Sequence, residues 1–134
     1  MGRVIEGSQL SKTPQVKFTR DGAADAPAGA YIVGQLVAAR EIDKYSTVFE
    51  FLLEDAHEAT PILLRNEDKT WKDATVGAGS KVSVFGSTNK EGSKNQLMDK
   101  LSQVVIGERA KITFNGKKPS KQGRAYNDFT VEVL

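Results

Sequence analysis

The sequence predicts a mainly β chain: a small antiparallel barrel of five or six strands, with one helix of about three turns before the last hairpin. Three observations predict it. Apolar residues alternate with polar ones at period two in several short runs, as in TVFEFLLE (47–54) and FTVEV (129–133). Glycine-containing polar stretches separate those runs, as turns and bulges require. Only one segment carries apolar residues at helical spacing. Strands therefore do not alternate with helices, which argues against a parallel α/β fold.

Each element has its own signal. Residues 1–29 are rich in Gly, Ala, Ser, Pro and Asp and read as a flexible N-terminal arm, mildly basic through Lys12, Lys17 and Arg20, with room for a short strand at Val16–Thr19. The domain proper is expected over 30–134. Tyr31–Ile42 reads as a strand interrupted by Gly34, where a bulge or bend is expected. The polar turn Asp43-Lys44-Tyr45-Ser46 leads into Thr47–Glu54, which puts Phe49, Phe51 and Leu53 on one face and Glu50 and Glu54 on the other. Pro61–Arg65 continues the meander. Val76-Gly77-Ala78-Gly79 turns into the strand Lys81–Phe85.

The helix is expected over Asn95–Val105, with Ser93 as candidate N-cap and Gly107 at the C-terminal position. Leu97, Leu101 and Val104 recur at i, i+4 and i+7, with Met98 and Val105 beside them. A closing hairpin follows, with Ile112 and Phe114 on one strand and Phe129, Val131 and Val133 on the other. Its connection holds Asn115-Gly116, Pro119-Ser120 and Gln122-Gly123, residues suited to turns. The set suits a Greek-key or OB-like barrel; the alternative is an open antiparallel sheet with the helix on one face.

Composition excludes several functions. The 134 residues include no cysteine, so disulfides, thiolate metal sites and thiol catalysis are unavailable. No apolar run reaches the roughly 18 residues of a membrane span, and the N-terminus lacks the apolar stretch of a signal peptide. The expectation is a soluble, cytoplasmic protein with no membrane partner. One histidine, His57, lies in an acidic loop with Glu54, Asp55 and Glu58; one loop is weak support for a metal, and a solvated loop is the simpler reading. No P-loop, nucleophile elbow, zinc-protease or dinucleotide motif occurs. The expectation is no enzyme, no metal and no cofactor.

Binding residues stand out more clearly. Net charge is only +2, so affinity for a polyanion must come from local clustering. Lys117, Lys118, Lys121 and Arg124 fall in the closing hairpin without an acid among them, and Tyr126 follows. Cations that track phosphates beside a ring that stacks on any base make a single-stranded nucleic-acid groove. Lys90 and Lys94 are candidates to join them. Tyr45 stands in a polar turn, and Trp71 between Lys69 and Lys72. Each ring either stacks on a base or covers an end of the barrel with its polar edge wet. Phe85, opposite Val82 and Val84, either lines a groove or caps its strand. Phe49, Phe51, Phe114 and Phe129 alternate with aliphatics and are core.

The long first hairpin, the Gly77-x-Gly79 turn into Val82-x-Val84, and Gly107…Lys111-x-x-Phe114-x-Gly116-Lys117 with the later Phe129 resemble phage-type single-stranded DNA-binding proteins of the OB fold. The resemblance spans about residues 30–134. It implies sequence-independent coating of single-stranded DNA in replication and recombination, in a bacteriophage-infected host cytoplasm, with replication or recombination proteins as further partners. Backbone tracking and stacking serve RNA as well, and an exposed edge strand would allow a homodimer. Bacterial single-strand-binding proteins typically end in an acidic tail that recruits partners; Thr130–Leu134 reads instead as a strand, so recruitment by such a tail is not expected. The competing expectation is a protein-interaction or structural OB-like module, because a small barrel does not by itself assign a function.

Overall fold

The computed structural model describes residues 13–19, 24–121, 123 and 125–134. Among the described residues, eight strands and one helix run in the order β1 (Gln15–Val16), β2 (Tyr31–Asp43), β3 (Ser46–Ala56), β4 (Ile62–Arg65), β5 (Trp71–Asp73), β6 (Lys81–Ser87), α1 (Gln96–Leu101), β7 (Arg109–Pro119) and β8 (Ala125–Val133). They form one sheet, ordered β5-β4-β1-β6-β3-β2-β7-β8. β1 pairs in parallel with β6, and the other pairings are antiparallel.

The mainly β class holds, but the barrel is corrected on three counts: eight strands rather than five or six, an open sheet, and a helix of six residues rather than about three turns. At the β8 edge of the sheet, α1 meets backbone groups that a further strand could otherwise pair. The Phe129 N–H of β8 donates to Gln96 Oε1 (2.9 Å), and Lys100 Nζ donates to the Phe129 carbonyl. The backbone groups of β8 at that position are thus met by side chains. On its other side α1 packs on β6 at Gly86, where an added Cβ would stand 2.8 Å from Met98 Cα and 3.0 Å from a Phe49 ring carbon.

The helix is short for local reasons. Its N-cap is Asn95 rather than Ser93: Asn95 Oδ1 accepts from Met98 N (2.8 Å) and also from Ser87 N (3.2 Å), which fixes the helix to the end of β6. At the other end Val104 N bonds Leu101 O, a tightened three-residue turn that suits the β-branched run Val104-Val105-Ile106. Leu97, Met98, Leu101 and Val104 are buried as their spacing predicts, whereas Val105 is exposed. Gly107 does not close the helix; its N–H donates to Leu36 O of β2 (2.8 Å) with φ at +101°.

The long first hairpin forms as expected, with register shifts at Val33/Gly34 and twice more along β2. At Gly34 an added Cβ would lie 2.7 Å from Leu52 O, so only glycine permits this close crossing. In the closing hairpin, Asn115-Gly116 is not a turn. Gly116, at φ +88°, sits at a bulge between Phe114 and Lys117, and β7 continues to Pro119. Phe49, Phe51, Phe114 and Phe129 are core as predicted. Phe18 joins them, its ring centroid 5.8 Å from Phe114 and 5.4 Å from Phe129. Burying such a side chain contributes about 1.5–3 kcal/mol. Part of the 1–29 segment is therefore built into the fold: β1 lies within the sheet, and Gly29 N donates to Phe114 O (2.7 Å).

Candidate functional site

The face of the sheet opposite the core holds a concavity. On β3 the core takes Phe49, Phe51 and Leu53, so Val48 and Glu50 point to the other side. Register extends that face across the sheet. Arg40 of β2 pairs with Val48, and Val48 with Phe85 of β6; Ala38 pairs with Glu50, Glu50 with Ser83, and Ser83 with Gln15 of β1. Beyond β1, Arg65 of β4 pairs with Trp71 of β5. Together these strands line a groove of about 440 Å³, with Arg40, Glu41 and Ile42 along one side and Arg65 and Trp71 along the other. Val48, Ser83 and Phe85 lie between them.

Its chemistry is mixed. Trp71 is half-buried, with Lys17 Nζ 4.8 Å and the Arg65 guanidinium carbon 5.5 Å from its ring centroid. Both cations lie within cation–π range and add positive charge where the ring is accessible. Phe85 is 38% exposed, high for a phenylalanine in the middle of a sheet. Glu50 is only 8% exposed, and its carboxylate accepts from Arg40 Nη2. Removing Arg40 would leave the buried Glu50 carboxylate without its counter-charge.

Tyr45, Lys90 and Lys94 form a second group. Tyr45 is exposed at the β2–β3 turn, where its N–H donates to Asp43 Oδ1 (2.7 Å) and its carbonyl accepts from Thr88 N (2.7 Å). Thr88 bridges to Lys94, so the loop carrying Lys90 and Lys94 lies beside Tyr45 and Lys44. Asn89 organises that loop by accepting from the N–H groups of Glu91 and Ser93.

The basic hairpin is less purely basic than its sequence. Lys117 Nζ lies 3.6 Å from Asp25 Oδ2. Lys118 pairs across the ladder with Tyr126, which is exposed, and also stands near Asp128. Donors from Gln96 (3.1 Å) and Asn115 (3.0 Å), with help from Lys100 and Lys118, hold the Asp128 carboxyl below its ordinary range. Lys121 is exposed in the connecting turn; Arg124, like Lys12 and Arg20, lies outside the described residues. In sheet order Trp71 and Tyr126 belong to the two terminal strand pairs. Lys94 and the hairpin approach each other through α1, whose Gln96 reaches Asp128.

Arg40, Ile42, Val48, Glu50 and Arg65 carry no weight in the sequence reading. Alternation on β3 is the one signal that places Val48 and Glu50 on a common face; Arg40 and Arg65 join them only through strand pairing. His57 serves the backbone: its N–H donates to Tyr31 O (2.9 Å), and its Nδ1 accepts from Ala59 N (3.2 Å). Among the described residues no group of three His, Asp or Glu is arranged to hold a metal ion, and no helix is long and apolar enough to cross a membrane. No family model, curated protein or solved structure matches the chain.

Proposed function

We propose that this protein binds single-stranded DNA without catalysis, as a protective coat in replication or recombination. The observation that carries the reading is the groove opposite the core, where two accessible rings, Trp71 and Phe85, share a concavity rimmed by Arg65 and Lys17. Base faces stack on rings whatever their sequence, each contributing about 1–3 kcal/mol, while cations follow the phosphates. Tyr45, Lys90 and Lys94 would extend the path past the β2–β3 turn. Lys118, Lys121 and Tyr126 would take the strand further if it crosses the end of α1. RNA offers the same faces and charges and is an alternative ligand.

Trp71 is the single tryptophan and reports directly on the groove. Titration with oligo-dT at two salt concentrations should quench its fluorescence, and affinity should fall steeply with salt because released counterions drive phosphate binding. Absence of binding at low salt, to oligo-dT and to strands containing the other bases alike, overturns the reading.

A protein-interaction role has one observation in its favour. Val105, Ile106, Val133 and Leu134 are exposed near one another, since Glu108 N bonds Val105 O and Leu134 N bonds Arg109 O. Exposed apolar side chains gathered at one place suit a protein partner. A pull-down that recovers a replication or virion protein from chain that binds no DNA would favour it.

A further inference from the structure

We infer that the groove reads the edge of one base, and that it prefers guanine and cytosine to adenine and thymine. This rests on the single-strand reading above and specifies what the groove takes. The central observation is the Arg40–Glu50 pair. Glu50 lies on the groove side of β3, 8% exposed, and its carboxylate is engaged by Arg40 Nη2. A phosphate gains little from this pair, because the carboxylate offsets the guanidinium. The sugar-phosphate chain is better served at the rim, by Lys17 and Arg65, with a base turned inward.

Arg40 is suited to meet that base. Its side chain is 41% exposed and lines the groove, and a guanidinium has five N–H donors in a fixed plane. The carboxylate takes one side of the fork and holds its orientation, leaving donors for a ligand. Two parallel N–H groups match two adjacent acceptors on one edge. Guanine offers O6 and N7, the commonest specific partner of arginine. Cytosine offers O2 and N3 once its pairing edge is free, as in a single strand. The acceptors of thymine are separated by N3–H, and each ring acceptor of adenine that adjoins its amino group has a donor for a neighbour. Trp71 and Phe85 line the same groove, so a ring face can hold the base while its edge meets Arg40. The volume, about 440 Å³, is that of a small-molecule site.

The experiment compares one short oligo-dT with the same strand carrying a single central guanine, cytosine or adenine. Affinities are measured by competition at fixed salt. The guanine and cytosine strands should bind about tenfold more tightly than the other two. In Arg40→Lys the charge stays and the fork is lost, so this ratio should fall to near one whatever happens to overall affinity. Glu50→Gln, which releases the fork, should lower the ratio as well, with melting measured for both variants to confirm the fold. Equal affinities in the unaltered protein overturn the inference and leave the single-strand reading standing. A ratio that persists in Arg40→Lys also overturns it. Binding of only the guanine and cytosine strands would support base reading and remove sequence independence; binding of no strand removes both.

Discussion

Trp71 illustrates how a residue's role turns on its surroundings. Its ring is half-buried beside Lys17 and Arg65, on the short terminal strand β5 and outside the main core cluster. Trp71→Ala should therefore cost about 1–3 kcal/mol of binding while melting changes little. Affinity and melting measured on that one variant test this; a destabilised protein with unaltered affinity would take Trp71 out of the site. Gly86 is the opposite case, a residue whose role is purely steric. Gly86→Ala drives a methyl into Met98 and Phe49, and overpacking of this kind costs about 1–3 kcal/mol. Chemical denaturation should show that loss; unchanged stability would mean that α1 shifts without penalty.

Among the elements, α1 does the most for its six residues. It covers Gly86 on β6 and, through Gln96 and Lys100, satisfies the backbone of β8 at Phe129. Asp128 completes the clasp by accepting from Gln96 and from Asn115 of β7. Because its carboxyl is held below the ordinary range in the folded state, its contribution is complete above the unfolded value, about 3.9, and is lost as pH falls through the folded value. Asp128→Asn should accordingly lower stability at neutral pH and converge with the unaltered protein in strong acid. Urea unfolding of both at neutral and acid pH checks the sign: a gap that stays constant would show that Asp128 contributes nothing through its charge.

Across the whole molecule, the charge that matters is divided. A net charge of +2 leaves no overall field to attract a polyanion, so binding depends on local clusters. One lies at the groove rim and another at the β7–β8 hairpin, where Asp25 offsets Lys117. Replacing Lys117, Lys118 and Lys121 together with alanine should weaken binding to all sequences alike. It should flatten the salt dependence by roughly 0.7 for each phosphate that is no longer neutralised. An unchanged slope would place the phosphate path wholly on the rim, and Lys17→Ala with Arg65→Ala would then reduce it instead.

Local chemistry decided much of this on its own. Period-two alternation put Phe49, Phe51, Phe114 and Phe129 in the core, the polar turn at Asp43–Ser46 gave the first hairpin, and the interruption at Gly34 marked its bulge, because each depends only on neighbours along the chain. Tertiary structure decided the rest. Phe18 and β1 resemble an arm because two residues of strand carry no periodicity, and only pairing with β4 and β6 makes them sheet. Spacing makes the helix look longer than it is, because it reports which residues face the core and not where the backbone tightens. Trp71 is visible as an aromatic in polar company, but Arg40, Glu50 and Arg65 are not visible as its neighbours. They converge through registers linking strands distant in sequence, and no local pattern encodes a register.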